Sequence, residues 1–417
     1  MNRSLLPNKS KWALVALDCL FVLFLFTEVA FAHSRAGQAA LLLFAGAALL
    51  VAFLDRRVPI SFWLLFYLAF CAWGALCLLW AVRFSTAFAM LRTLGINLIF
   101  LAALLQYFTR RDFSRIALLY LIAIGAFAVY VAAFSDPLDA MTRFGWDVGV
   151  NPNAAGMVTA FACGLSLYLA TGSPKKRGQA LYLLPALLFL TVTVLTGSIK
   201  AMLVVAGIMA LYLMLRYPKR AWVLPVLGLA VLAGMYALSK SRLMYEVPFF
   251  YKGYFHDIVW KRFEGLFLYL ESGQTEVFET AAERGSLLSV GLDAIRRRPL
   301  TGYGLDCFQH LTDAAGVPVG TYSHNNYIEL LVSGGVPLLL LHYAPILALL
   351  VMGVRRMRGR AEVKMALTLL VAVLVADLAV VSYYDRTLLM IPALLAAVTW
   401  QGKQKSGAGP LSWIELG

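Results

Sequence analysis

The sequence has little charge. Asp, Glu, Lys and Arg make up 14% of its 417 residues, against about 25% in a typical soluble domain. That is too little polar surface to clothe a soluble chain of this length. Metal-ligand patterns are also missing: there is no H-E-x-x-H, no clustered Cys and His, and no D-x-D in the segments read below as outer loops. No metal and no cofactor is therefore expected. The glycines of "GYG" (302–304) lack the lysine and hydroxyl that follow the glycines of a phosphate loop. Cysteine is scarce as well. Four of the five, Cys19, Cys71, Cys77 and Cys163, fall in apolar runs, which excludes a disulfide framework. The first apolar run, 12–32, is too long for a signal h-region and has no A-x-A-like site ahead of a soluble domain, so it is expected to stay in place.

Long apolar runs are what the sequence does have. The chain is 61% hydrophobic, with a mean hydropathy of +0.77. Runs long enough to cross a bilayer, about 20 residues each, recur along it. Hydropathy and breakers predict an all-α integral membrane protein of about twelve spans. These are 12–32, 37–54, 60–81, 86–108, 114–134, 154–171, 179–197, 200–215, 221–239, 325–353, 362–383 and 387–400. The 325–353 stretch contains "SGGVP" and reads as a broken helix or as a short re-entrant piece plus a span. Basic residues alternate with the spans. Clusters such as Arg56–Arg57, Arg110–Arg111, Lys175–Arg177 and Arg355–Arg360 sit on one side. The short loops of the other side hold Arg35, Arg83, Arg143, Lys200 and Arg386. This positive-inside bias places both termini in the cytoplasm. It also accounts for most of the net charge of +14, so no nucleic-acid partner is implied. The organisation is then nine spans over 1–239, one large outer loop over 240–324, and three spans with a cytoplasmic tail over 325–417.

The outer loop is too long for a simple connection. In "DIVWKRFEGLFLYL", Val259, Phe263, Leu266, Phe267 and Leu270 share a helical face, which suits a helix on the membrane surface or one packed on the loop's own core. In "SLLSVGLDAIRRRP", Leu287, Leu288, Leu292 and Ile295 predict a second amphipathic helix. Its arginines gather at the negative end and Pro299 stops it. The loop is basic, which orientation does not explain. Arg262 and Arg284 within it, Arg143 and Lys200 at the outer lips of spans, and Arg92 inside a span would together suit a polyanion, because guanidinium forks match phosphate oxygens. The plainer reading is that these cations are solvated or pair with Asp257, Glu264 and Glu283.

"TYSHNNYIELLVSGGVP" (321–337) puts His324 at the outer water–membrane boundary, where an imidazole takes a proton at neutral pH. Tyr322, Asn325 or Asn326 then fixes its tautomer or holds sugar hydroxyls. Alternatively Ser323 or Asn325 simply caps the helix.

The order "RFGWDVGVNPN", "LTGSIKAM", "ERGSLLSVGLDAIRRRPLTGYG" and "SHNNYIELLVSGGVP" resembles the bacterial O-antigen ligases and their relatives, the O-antigen polymerases and protein O-oligosaccharyltransferases. The likeness covers roughly residues 140–340. It implies an inner-membrane enzyme whose donor is an undecaprenyl-diphosphate-linked O-antigen and whose acceptor is lipid A–core, acting among membrane lipids on the periplasmic face. It further implies that His324 is the catalytic base and that Arg284 and Arg143 contact the donor diphosphate. Relatives often have Ser-Arg or Ser-Lys adjacent, whereas here Ile199 stands between Ser198 and Lys200. A polymerase or protein-glycosylating transferase would share these motifs. A lipid or solute transporter would instead show repeats and midplane charges, for which Asp18 and Asp377 are the hints.

Overall fold

The computed structural model describes residues 8–32, 34–55, 59–136, 143–242, 246–247, 253–261, 279–312, 321–406 and 413–415. Apart from a three-residue antiparallel pairing of Pro59–Ser61 with Trp413–Glu415, the described secondary structure is helical. The helices are α1 (Asn8–Ala30), α2 (Arg35–Leu54), α3 (Phe62–Cys77), α4 (Phe84–Thr109), α5 (Phe113–Phe134), α6 (Pro152–Gly172) and α7 (Lys176–Leu195). They continue with α8 (Ile199–Arg216), α9 (Val223–Ser239), α10 (Glu279–Arg297), α11 (Asn326–Arg356), α12 (Ala361–Ala376) and α13 (Arg386–Ser406).

Among the described residues, nine helices are long and apolar enough to cross a membrane: α1 to α8 and α11. The other three expected spans are helical but fall short. α9 has 17 residues and α12 has 16, and the apolar part of α13 is confined to Arg386–Gln401. At 1.5 Å per residue, 16 residues reach about 24 Å, less than the ~30 Å hydrocarbon core. Nine of the twelve expected spans therefore meet that length among the described residues.

The chain divides into two compact units. The first comprises residues 1–44, 112–277 and 359–369, and α6 is its most enclosed helix. α6 is threaded with small residues because α8 lies against it. A Cβ added at Gly156 would stand 2.6 Å from the Ala201 Cβ, and one at Gly164 would stand 2.5 Å from the Ile208 Cγ2. Close backbone approach of this kind is how helices associate where lipid removes the hydrophobic drive between them. α6 meets α7 through the Thr159–Thr193 hydroxyl pair at 2.9 Å. Asp18 of α1, buried, accepts from the Arg115 Nε of α5 at 3.1 Å.

The second unit comprises residues 45–111, 278–358 and 370–417. Here α3, α4, α11 and α13 enclose a core that includes Phe70, Phe100, Leu104, Leu338 and Ala397. Several polar groups within it are partnered, which offsets the cost of burial in an apolar interior. Asn97, fully buried, donates to the Tyr384 carbonyl at 2.8 Å and accepts from the Arg386 Nε at 2.9 Å. The Tyr343 hydroxyl donates to the Asp377 Oδ2 at 2.7 Å. Both aspartates that hinted at a transporter thus have protein partners.

α10 forms where expected but turns a different face inward. Leu287 and Ala294 are buried against Phe308, Ile328 and Val332, with Ile295 packed partly on the same cluster. Leu288 and Leu292 are 46% and 41% exposed. The reason is Gly291, where an added Cβ would lie 2.4 Å from the Ile328 Cγ2. A glycine carries no hydrophobicity in a periodicity count, yet it sets which side of the helix comes closest to α11.

α11 breaks where "SGGVP" stands. Gly334 and Gly335 are non-helical, with Gly335 at φ 68°, ψ −167°. A break inside an apolar helix leaves backbone groups without partners, which is tolerated only where protein repairs them. Here the "PLTGYG" turn repairs them. Tyr303 N–H donates to the Val332 carbonyl at 2.8 Å, Gly304 N–H to the Ser333 carbonyl at 2.9 Å, and Val336 N–H to the Pro299 carbonyl at 2.8 Å. The Trp73 indole donates to the Gly334 carbonyl at 2.8 Å. The two glycine motifs, thirty residues apart in sequence, are one backbone-paired structure.

Candidate functional site

The residues singled out from the sequence fall into two groups, one in each unit. In the second unit, residues 321–325 form the entrance to α11. Asn325 is its cap: Oδ1 accepts from the N–H groups of Tyr327 at 2.9 Å and Ile328 at 3.1 Å, while Nδ2 donates to the Leu378 carbonyl. Asn326 is fully buried and committed. Its Nδ2 donates to the Tyr343 hydroxyl at 2.8 Å, and its Oδ1 accepts from the N–H groups of Ser382 and Tyr383. The two asparagines therefore hold α11 to the 377–385 turn. They act on protein, which leaves contact with a sugar to their neighbours.

His324 precedes this cap with a left-handed backbone, φ 54°. It is half-buried, and its ring lies 4.0 Å, centroid to centroid, from that of the exposed Tyr322. The turn is braced on both sides of the histidine. The Ser323 hydroxyl donates to the Asn325 carbonyl at 2.9 Å, and the Ser323 N–H donates to the Glu329 Oε2 at 3.3 Å. Glu329 is 1% exposed. Asp306 belongs to the same neighbourhood: its N–H donates to the Ser333 hydroxyl at 3.3 Å, and its Oδ2 accepts from Gln309. Burial pushes the Asp306 carboxyl up to about 6, with the Gln309 hydrogen bond opposing. Neither acid stood out in the sequence, where each is one carboxylate in a helix or a turn and nothing marks its burial.

Arg284 lies in the first half of α10, the helix that packs on α11. Arg262, with the expected apolar face from Phe263 to Leu270, lies outside the described residues. Arg92 is exposed on α4 beside Phe88, Ile96 and Ile99. It sits about 12 Å along the helix from Phe84. An arginine at that depth is costly unless water or an anion meets it.

In the first unit, Arg143 holds together the starts of α6 and α8. Its Nε donates to the Thr196 carbonyl at 2.9 Å and its Nη2 to the Asn153 Oδ1 at 3.1 Å, which also accepts from the Ser198 hydroxyl at 2.9 Å. Ser198 caps α8, and Lys200, half-buried, is in that helix's first turn. Gly197 takes φ 60° and lets Ile258 close over it, an added Cβ falling 2.5 Å from the Ile258 Cγ2. Arg143, Lys200 and two helix N-termini thus share one end of the unit, a setting that favours anions. The basic segment over 240–324 is partly self-neutralised. Lys261 meets Asp257 at 2.7 Å and, with His256, holds that carboxyl below its usual range. Arg298 lies over the Tyr303 ring at 4.8 Å. Among the described residues no cluster of three or more His, Cys, Asp or Glu has metal-binding geometry.

Residues 184–343 match the family model described as O-antigen ligase, which bears out the resemblance to that superfamily of glycosyltransferase-like enzymes. The matched stretch contains Lys200, Arg262, Arg284, Tyr322, His324, Asn325 and Asn326, while Arg92 and Arg143 lie before it. No curated protein matches the chain.

Proposed function

We propose that the protein is an O-antigen ligase. It transfers an O-antigen glycan from undecaprenyl diphosphate to a sugar hydroxyl of lipid A–core, on the periplasmic face of the bacterial inner membrane. The observation that carries this reading is His324, held in a left-handed turn at the α11 entrance within the family-matched stretch.

The acceptor hydroxyl forms a bond to the anomeric carbon as the bond from that carbon to the donor phosphate oxygen breaks. The proton passes to the His324 imidazole, and undecaprenyl diphosphate leaves with the electron pair. One direct displacement inverts the anomeric centre. Charge grows on the diphosphate, so fixed cations aimed at it lower the barrier. Arg284, Lys200, Arg143, Arg262 and Arg92 are assigned to that work. The helix N-termini beside Arg143 and Lys200 support the assignment. Asn325 and Asn326 support the site by fixing the turn, and Tyr322 supports it by packing on the imidazole.

The test is transfer by purified protein from lipid-linked donor to lipid A–core. His324→Asn is the informative variant, because Asn tolerates the left-handed backbone and accepts no proton in this range. It should lose about 10²–10⁴-fold in rate, the usual contribution of a general base, while donor binding is retained. Arg284→Ala should weaken donor binding as well as rate. Arg284→Lys should recover it only in part, since an ammonium keeps the charge but not the fork. An active His324→Asn, or one that loses the donor while Arg284→Ala keeps it, overturns the roles. Cells lacking the gene should carry bare core. Glycan still attached to core, altered only in chain length, points to a growing glycan as acceptor, as in a polymerase.

A further inference from the structure

In the first unit, α1 and α5 run side by side and leave a groove of about 480 Å³ between them. Val15, Val22, Leu23 and Phe26 of α1 line it with Leu119 and Ile122 of α5. Its two ends differ. At one end stand Asp18 and Arg115, and the rest is apolar to Ala126. Eleven residues of helix separate Arg115 from Ala126, about 16 Å, close to half of the ~30 Å hydrocarbon core. The groove is thus one leaflet deep, with its charge at the end where α5 begins. The basic residues Arg110 and Arg111 precede that end in sequence, and by the positive-inside bias it faces the cytoplasm.

The charged end is asymmetric. The Asp18 side chain is 3% exposed and accepts from the Arg115 Nε at 3.1 Å. The Arg115 side chain is 47% exposed. A buried carboxylate needs such a counter-ion. It also anchors the arginine through its Nε, and the half-exposed side chain lines the groove.

We propose that this groove binds one acidic glycerophospholipid of the cytoplasmic leaflet, an acyl chain lying between α1 and α5 and the headgroup phosphate meeting the Arg115 fork. The fork prefers phosphate oxygens. A zwitterionic lipid would bring a second cation against Arg115, so the site discriminates by net headgroup charge. The site is independent of the transfer chemistry assigned above.

Cys19 supplies the probe, because it lines the groove and is exposed, whereas Cys71 is partly buried and Cys77, Cys163 and Cys307 are buried. Full-length protein in phosphatidylcholine nanodiscs, with and without phosphatidylglycerol, is treated with a membrane-permeant maleimide. Labelling of Cys19 should slow about tenfold when phosphatidylglycerol is near ten times its Kd. Arg115→Lys keeps a partner for Asp18 but loses the fork, and should remove most of that protection. Leu119→Trp fills the groove and leaves the ion pair, so native mass spectrometry should show the retained phosphatidylglycerol gone. Equal labelling in the two lipid mixtures, full protection in Arg115→Lys, or undiminished phosphatidylglycerol on Leu119→Trp overturns the proposal.

Discussion

His324 and Asp306 are the two non-glycine residues with left-handed backbone among the described residues, at φ 54° and 56°. The conformation costs an L-residue about 1–2 kcal/mol, so each is held there by its surroundings. For Asp306 those surroundings also oppose ionisation: burial raises the carboxyl from 3.8 to about 6. A folded-state pKa above the unfolded one means that the folded protein binds the proton more tightly. The stabilising contribution is complete below about pH 4 and is lost as pH rises through about 6. Asp306→Asn mimics the protonated form, tolerates the positive φ and still accepts from Gln309. Thermal unfolding in detergent between pH 4 and pH 7.5 should show the variant more stable at the upper end, by on the order of 1–3 kcal/mol, and flatter across the window. An unchanged slope would assign the pH dependence to other groups. Such effects were not legible in the sequence. Asn325 was readable as a cap, but Asn326 looks the same in sequence and proves to be a fully buried tie to the 382–383 backbone.

At the scale of elements, the break in α11 was readable from "SGGVP", and a tight turn was readable from "GYG". Their pairing was not, because no local pattern announces which distant carbonyls a turn will serve. The same limit explains α10, where counting leucines chose Leu288 and Leu292 while Gly291 decided the buried side. Gly335 tests the pairing. Its φ and ψ lie in a region essentially reserved for glycine, and an added Cβ would sit 2.4 Å from the Leu300 carbonyl carbon and oxygen. Backbone on that side cannot swing away as a side chain would. Gly335→Ala should therefore cost several kcal/mol, roughly 1–3 for the dihedrals with the clash in addition, and should appear as loss of monodisperse folded protein. Gly95→Ala in α4 is the control: nothing lies within 4 Å of its added Cβ, and the exchange should be neutral or stabilising by up to about 1 kcal/mol. A Gly335→Ala protein as stable as the control would mean that the turn and the broken helix do not depend on close approach.

For the whole molecule, composition alone was decisive about class. A mean hydropathy of +0.77 cannot be hidden inside a soluble chain of this length, and each run read as a span is a helix in the structure. Span count was harder to read, because hydropathy does not show where a helix stops. α12 ends at Ala376, where Asp377 turns toward the hydroxyl of Tyr343. Sidedness rests on the basic residues alone, and every role assigned to the α11 entrance depends on it. A reporter inserted after Gly273 should read periplasmic, and one inserted after Gly359 should read cytoplasmic. Gly359 suits an insertion: it adopts φ 71° with nothing within 4 Å of an added Cβ, and Arg355, Arg356, Arg358 and Arg360 around it carry the inside bias. The two results are linked through α11, the broken 31-residue helix between them. If both reporters report the same side, α11 enters and leaves by one face at the Gly334–Gly335 break. If both are reversed, His324 faces the cytoplasm, and an acceptor hydroxyl presented from the periplasm cannot reach it.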